Sequence, residues 1–338
     1  MPDIRVVRFE EPQAFLGAVK SYDDSFMNFS LGALLDSLDP GNSRGKEQPA
    51  TSRTLLAVYK GEPLIITFTR IRDGFPCVLA IPRGVEEHLS SQDVTNAVER
   101  LVVLLSDAVD PKLLDSVNGP TDLVNTFAET WVRYMRIQGL KLKISDSSFK
   151  VQTSFATLAT IPPPSPAFDQ YRITLAETED GVDAVTPFAV DFANHGPRKT
   201  TLDEAKRLMH ASVRMQQLWL CHADAQLVGY SLVGRITQRT IAIRHVYVSP
   251  AHRRKGIAEA MVRALTRFYL GAEPLGFEGA PSPTPAIGRR EEVCLNVAEE
   301  AVARLYRRCG FLLGSDDRDP VTGQKGSFES VLRGIEPL

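Results

Sequence analysis

The feature that most constrains this chain is that it spells out one structural unit twice. "LLAVYKGEPLIITFTRIR" (55–72) reads as strand, tight turn, strand, and "LWLCHADAQLVGYSLVGRI" (218–236) repeats that pattern at nearly equal length. Each hairpin leads to a further strand ("CVLAIP", 77–82; "IAIRHVYVS", 241–249), then a long amphipathic helix, a short strand ("DSVNG"; "VCLNV") and a closing helix. Repetition of a whole element order implies two copies of one αβ unit.

A chain of 338 residues also exceeds what one hydrophobic core usually supports, so two domains are expected. The boundary is expected at "IPPPSPAF" (161–168), whose prolines fix φ and remove backbone donors, excluding helix and central strand. This gives an N-terminal domain 1–160, a Pro-rich linker 161–168 and a C-terminal domain 169–338. "DPGNSRGKEQPATSR" (39–53) reads as a mobile surface loop, and "EPLGFEGAPSPTPAIGRR" (273–290), long for a connection within a domain, as disordered.

Composition narrows the function classes. A formal charge of −2 gives no overall nucleic-acid footprint, so nucleic acid is not expected as a partner. Cys77, Cys221, Cys294 and Cys309 lack paired ligand spacing, which argues against a disulfide framework or a metal site and for buried, inert thiols. The sequence shows no signal-peptide pattern and no apolar run of about 20 residues, so no membrane association and a cytoplasmic location are expected.

The two halves differ most in the loop before the longer helix. The first half has "PRGVEEHLSSQDV" (82–94), with two glutamates and no basic cluster, whereas the second has "VSPAHRRKGIAEAMV" (248–262). There Ile257, Met261, Leu265 and Phe268 mark one buried helical face, so the cations sit where a helix begins. Helix starts present unpaired N–H groups, a glycine lets the backbone approach a ligand, and Arg253, Arg254 and Lys255 add positive potential; together these suit a diphosphate. A solvated basic turn is the alternative. In the closing helices, stripes are expected at Leu123, Phe127, Trp131 and Tyr134, and at Ala298, Val302, Leu305 and Cys309.

The loop has neither a P-loop nor a dinucleotide fingerprint, but "RRKGIA" fits Arg/Gln-x-x-Gly-x-Gly/Ala. Forty residues on, "VCLNVAEEAVARLYRRCGF" (293–311) has a strand, then a helix ending in Leu305-Tyr306, three residues, Gly310-Phe311. In these two signatures the second half resembles the GNAT superfamily of acyl-CoA-dependent N-acyltransferases. The element order and "VNGPTDLVNTFAETW" (117–131) extend the likeness to the first half as a degenerate partner unit. The resemblance implies a mixed α/β fold of two tandem GNAT-like units, each a twisted, mostly antiparallel sheet flanked by helices. One departure stands out: the family's closing helix usually opens with Asn, where this chain has Glu299.

The resemblance also implies a site. Arg253, Arg254, Lys255, Gly256, Ile257 and Ala258 would hold the diphosphate of acetyl-CoA (or another acyl-CoA), a co-substrate needing no metal. The strand Val246, Tyr247, Val248 would align its pantetheine arm, with a backbone N–H near Val246 facing the developing oxyanion. Tyr306 would be the general acid for the departing thiolate, or else an ordinary packing residue. His245 lies where the family often carries a carboxylate, as a base or as a satisfied core histidine. Asn296 is expected first as an N-cap, in a capping box with Glu299, and second beside the pantetheine. The loop 194–201 and a last hairpin at 316–326 would surround a small-molecule or peptide amine. The expected activity is N-acyl transfer by direct attack in a ternary complex. Alternatives are an amino-acid or longer-chain N-acyltransferase, or an idle acyl-CoA-binding scaffold.

Overall fold

The computed structural model describes residues 3–39, 53–196, 199–281 and 285–338. Its contacts divide the described residues into two compact units: residues 3–37, 53–153 and Ser327–Leu338 in the first, residues 38–39, 154–196, 199–281 and 285–326 in the second. The proposed mobile loop at 39–53 lies almost wholly outside the described residues.

The first unit contains β1 (Ile4–Phe9), α1 (Pro12–Val19), α2 (Asn28–Leu38), β2 (Thr54–Lys60), β3 (Leu64–Arg70), β4 (Cys77–Ala80), α3 (Arg83–Glu86), α4 (Ser91–Ala108), β5 (Ser116–Pro120) and α5 (Thr121–Ile137). It also holds most of β6 (Leu142–Ala156) and all of β12 (Ser327–Pro337). Its strands run in the order β1-β2-β3-β4-β5-β12-β6. Neighbours β1 to β4 are antiparallel, and β4 and β5 are parallel. Leu101 and Leu105 of α4 and Phe127 and Trp131 of α5 pack with Leu56, Ile66, Phe68 and Val117 of the sheet, so the expected stripe on α5 is the buried one.

The second unit contains β7 (Arg172–Leu175), α6 (Val182–Asn194), α7 (Leu202–Arg214), β8 (Leu218–Ala223), β9 (Gln226–Gly234), β10 (Thr240–Val248), α8 (Ile257–Leu270), β11 (Glu292–Val297) and α9 (Glu300–Arg308). With the end of β6, its order is β6-β11-β10-β9-β8-β7. Again the hairpin strands are antiparallel and one pair, β10 with β11, is parallel. The succession β2-β3-β4-α4-β5-α5 thus matches β8-β9-β10-α8-β11-α9, as the duplicated sequence pattern requires. Mixed α/β units with mostly antiparallel sheets are the fold the sequence implies.

Several expectations need correction. The C-terminal strand does not stay with the second domain: β12 pairs antiparallel with β5, from Ser330↔Pro120 to Gly334↔Ser116. Val331 and Ile335 join the first core, and Glu329 meets Lys150 at 2.8 Å and Thr121 at 2.9 Å. The chain passes from the first unit to the second inside β6, before the prolines. Ala156 already belongs to the second core, and Leu312 N donates to Phe155 O at 3.1 Å. The segment 316–326 is a tight turn with one bridge, Arg318↔Lys325, organised by Asp319, which accepts from the amides of Val321 and Thr322; it is not a strand hairpin.

The described part of 273–290 is ordered. Buried Arg267 donates to Pro162 O (2.8 Å), Leu275 O (3.0 Å) and Pro274 O (2.5 Å), pinning this segment and the Pro-rich segment to α8. Phe277 packs near Trp219, with ring centroids 6.3 Å apart. A guanidinium with five donors supplies what prolines cannot supply to each other, which is why a loop with weak local preferences is fixed.

Seating β12 in the first core has a measurable consequence. Val331→Asp would bury an unpaired carboxylate at a fully enclosed position. We expect it to cost about 3 kcal/mol or more of unfolding free energy. Urea denaturation showing a change under about 1 kcal/mol would mean the strand is not seated there.

Candidate functional site

The site begins where two strands part. β10 and β11 pair from Thr240↔Glu292 to Ile243↔Leu295, and no pairing continues beyond. On its other side β10 stays paired with β9, through a bulge at Ile243/His245 to Val248↔Gly229. Ser249 N donates to Val228 O at 2.9 Å, so alternation along the strand turns the main-chain groups of Tyr247 toward β9 and those of Val246 and Val248 toward the opening. Five residues of β10 thus run past their last partner on β11. In the first unit the parallel pairing ends at Val78↔Asn118, and β4 stops two residues later at Ala80.

α8 follows at once. Its N-cap is Gly256, at φ +82° and ψ 0°, with no side-chain cap. Arg254 is also left-handed at φ +64°, and the loop from Arg253 to Gly256 is exposed. Among the described residues, none of the amides from Arg254 to Glu259 has a backbone acceptor. A run of unbonded N–H groups at the positive end of a 14-residue helix is an anion cradle. Gly256 is required by its φ: a Cβ there would meet only Phe168, at 3.4 Å, so backbone conformation and not crowding excludes other residues. Tyr171 Oη donates to Lys255 O at 2.5 Å and ties the loop to β7. Glu259, the first-turn acid, is neutralised by Arg263 (2.9 Å) and Arg308 (2.8 Å) and does not oppose an anion.

The matching helix start in the first unit is closed by its own side chains. Ser90 Oγ accepts from Asp93 N at 3.1 Å, and the Asp93 carboxylate accepts from Ser90 N at 3.2 Å. That carboxylate also meets Lys60 Nζ at 2.8 Å, and its pKa falls to about 2, chiefly through hydrogen bonds from Lys60 and Ser90. A capping box that satisfies two of the orphan amides and places a negative charge there leaves no cradle.

Of the two proton-handling candidates, Tyr306 fits an acid. It lies buried on α9, its ring centroid 5.9 Å from that of Phe311. Burial pushes its pKa well above the ordinary phenol value, with Cys309 adding to the rise, so it keeps its proton at neutral pH. Of the stripe expected from the sequence, Cys309 is buried and Val302 and Leu305 pack half-buried against the second core, while Ala298 precedes α9 and is exposed; Ala303 and Tyr306 are the buried residues of the helix itself. Gly310, at φ +97°, lies so close to the Pro-rich segment that a Cβ would come within 2.7 Å of Thr160 O; in this signature the glycine is a packing requirement.

His245 departs from the expected neutral-range base. Its Nδ1 lies 3.2 Å from Tyr230 Oη and its ring stacks on Phe192 at 4.2 Å. Although part of its surface is accessible, enclosure among these rings pushes its pKa down to about 3, helped by Arg244 and Arg235. Asn296 is exposed at the end of β11 and does not cap α9; the N-cap is Glu299, without a side-chain cap bond, so the expected capping box does not form. Residues Asn194–Gly196 and Lys199–Thr201 of the expected acceptor loop are described, the two between them are not.

The structure also gathers residues that the sequence reading missed. Asp191 Oδ2 accepts from Tyr247 Oη at 2.6 Å, and the Asp191 hydrogen bond contributes, after burial, to raising the Tyr247 pKa to about 12. Arg253 Nε donates to Val248 O at 3.2 Å, and its guanidinium lies 5.9 Å from the Tyr247 ring centroid. Phe188, Asp191 and Phe192 share one face of α6, a spacing visible in the sequence, but nothing local to it shows that β10 is the facing strand.

All four cysteines are buried thiols and none forms a disulfide, and burial raises the Cys77, Cys221 and Cys309 thiols to about 12. Among the described residues no cluster of His, Cys, Asp and Glu is arranged to hold a metal, and no helix is long and apolar enough to cross a membrane.

The pKa of His245 predicts a stability effect. Folding holds it neutral while the unfolded chain takes up a proton below about pH 6.5, so stability falls with acidification from there toward pH 3. Between pH 7 and pH 5, His245→Asn should lose about 1–2 kcal/mol less unfolding free energy than the wild type. Parallel losses in the two proteins, by urea titration at each pH, would show an imidazole open to solvent.

Residues 214–312 match the family described as Acetyltransferase (GNAT) domain. Similar solved structures include a GNAT-family acetyltransferase from Colwellia psychrerythraea, at 13% identity over 99% of both chains and TM-score 0.45. A tandem GNAT protein from the clavulanic acid biosynthesis pathway matches at 12% identity over 99% of this chain and 98% of that one, TM-score 0.46. A GCN5-related N-acetyltransferase from Sphaerobacter thermophilus matches at 17% identity over 100% and 96%, TM-score 0.45. No curated protein matches the sequence.

Proposed function

Because its second unit carries a GNAT acetyltransferase domain, we propose that this chain is an acyl-CoA-dependent N-acyltransferase, with acetyl-CoA as donor and a primary amine as acceptor. The observation that carries the reading is the run of unbonded amides from Arg254 to Glu259, placed directly after a strand whose free edge faces an opening. The amides and the cations of 253–255 receive the diphosphate. The Val246 and Val248 main chain receives the amide-bearing pantetheine arm as an added strand.

The chemistry is direct transfer. The amine lone pair attacks the thioester carbon, a C–N bond forms, and the carbonyl electrons move to oxygen, where the Val246 N–H stabilises them. Collapse breaks the C–S bond, the thiolate takes the Tyr306 proton, the proton shed by the amine passes to water, and the Tyr306 phenolate regains a proton from solvent before the next turnover. A neutral His245 positions the strand and, at a pKa of about 3, is too weak a base to hold that proton at neutral pH. The first unit, with its capped helix and short β4, takes no acyl-CoA. A cytoplasmic location, where acyl-CoA is made, suits this activity.

Thiol release from acetyl-CoA across a panel of primary amines tests the reading. We expect amine-dependent release and one equivalent of acetyl-CoA bound per chain. Binding without release for any amine would favour the scaffold alternative, and two equivalents would contradict the closed first unit. Gly256→Trp should weaken acetyl-CoA binding at least tenfold. Forcing a side chain onto a left-handed backbone should also cost about 1–2 kcal/mol of stability. Tyr306→Phe should lower kcat on the order of 100-fold with acetyl-CoA affinity little changed. Undiminished binding by folded Gly256→Trp would remove the diphosphate assignment.

A further inference from the structure

We propose that Asp191 is the carboxylate that receives the acceptor's ammonium group, which loses a proton to water before its nitrogen attacks, and that Arg253 occupies it until acyl-CoA draws the guanidinium away. The proposal rests on the acyltransferase reading above and adds to it a residue that no sequence signature contains.

Among the described residues, the Arg253 side chain reaches Val248, Tyr247 and Asp191, none of them in its own loop. Its Nε donates to Val248 O at 3.2 Å, its guanidinium lies over the Tyr247 ring at 5.9 Å, and its Nη2 stands 3.9 Å from Asp191 Oδ2. It therefore covers a carbonyl on the strand edge where the pantetheine arm is proposed to lie. It also shields a carboxylate on α6, on the opposite face of the site from α8. Asp191 is itself held in place, because Tyr247 Oη donates to its Oδ2 at 2.6 Å and its backbone carbonyl lies 2.8 Å from His195 Nδ1. Its side chain is 40% exposed, so a ligand can reach it from solvent. Half-buried Phe188 and Phe192 flank it on α6, which suits a primary ammonium carried on an aromatic or apolar body.

One cation then serves two anions. A diphosphate with more than one negative charge outcompetes a single carboxylate at 3.9 Å for a mobile guanidinium. When Arg253 turns to the diphosphate, the Val248 carbonyl and the Asp191 carboxylate are released together. An ammonium at Asp191 in turn displaces Arg253 toward the diphosphate. Each ligand thereby improves the site for the other by the same factor.

The test is calorimetric titration of acetyl-CoA into the full chain, wild type and Asp191→Asn, with and without phenethylamine as the amine probe. We expect Asp191→Asn to bind acetyl-CoA about three- to tenfold tighter than wild type. Phenethylamine should tighten acetyl-CoA binding severalfold in wild type and not in the variant. In turnover, Asp191→Asn should raise KM for phenethylamine at least tenfold. Tighter donor binding with weaker acceptor binding is a pair of signs that a folding defect does not produce. Tyr247→Phe, which keeps Asp191 and Arg253 together, should not tighten acetyl-CoA binding, and Asp191→Ser replaces Asp191→Asn if the latter does not fold. Unchanged or weaker acetyl-CoA binding by a folded Asp191 variant overturns the proposal. Tighter binding with no loss of phenethylamine use overturns its ammonium half. A wild type that binds no acetyl-CoA contradicts the acyltransferase reading instead, and the two failures are told apart by that first titration.

Discussion

Everything proposed for the second unit depends on the parallel pairing of β10 with β11 ending at Ile243↔Leu295. Up to that point the two strands satisfy each other's main chain. Beyond it, β10 continues for five residues paired with β9 and not with β11, and α8 starts with its first-turn amides uncovered. A backbone that leaves donors and acceptors open beside a helix N-terminus incurs a cost that a ligand relieves. Gly256 permits this by taking φ +82°, a conformation in which a side-chain cap such as Ser or Asp would be strained.

The first unit shows what the same architecture becomes without that opening. Its β4 ends two residues past its last pair, and its α4 is capped by Ser90 and Asp93. The difference between the open helix start of the second unit and the closed one of the first lies in a few positions: a serine N-cap bonded to Asp93 where the second unit has a glycine N-cap preceded by three cations, and a strand shorter by five residues. The cores of the two units differ far less, both being built from two helices packed on hairpin strands.

Local pattern explains what was legible in the sequence. The hairpins, the single strands that follow them, α4, α5 and α8, and the basic loop are all written in stretches of under twenty residues, where period and turn residues carry the information. What was missed depends on partners remote in the chain. β12 reads as the end of the second domain until its partner on β5, more than 200 residues earlier, is known. The loop 273–290 reads as disordered because its anchor, Arg267, lies on the preceding helix and looks like one more surface cation. Asp191 has no sequence signature, since its meaning comes from Tyr247 and Arg253 across the site. His245 reads as part of its strand, but the burial that with Arg244 and Arg235 keeps its imidazole neutral comes with packing against Phe192 and Tyr230, which no spacing rule connects to it.

The central claim is that acyl-CoA is held by main-chain groups of the second unit alone, along β10 and at the start of α8. Hydrogen exchange of the full chain with and without acetyl-CoA measures those amides directly. The account predicts slowed exchange at Val246, at Val248 and from Arg254 to Glu259, with no change at 77–82 or at the start of α4. Slowing confined to the first unit, or unchanged exchange at Arg254–Glu259 under saturating acetyl-CoA, would contradict it.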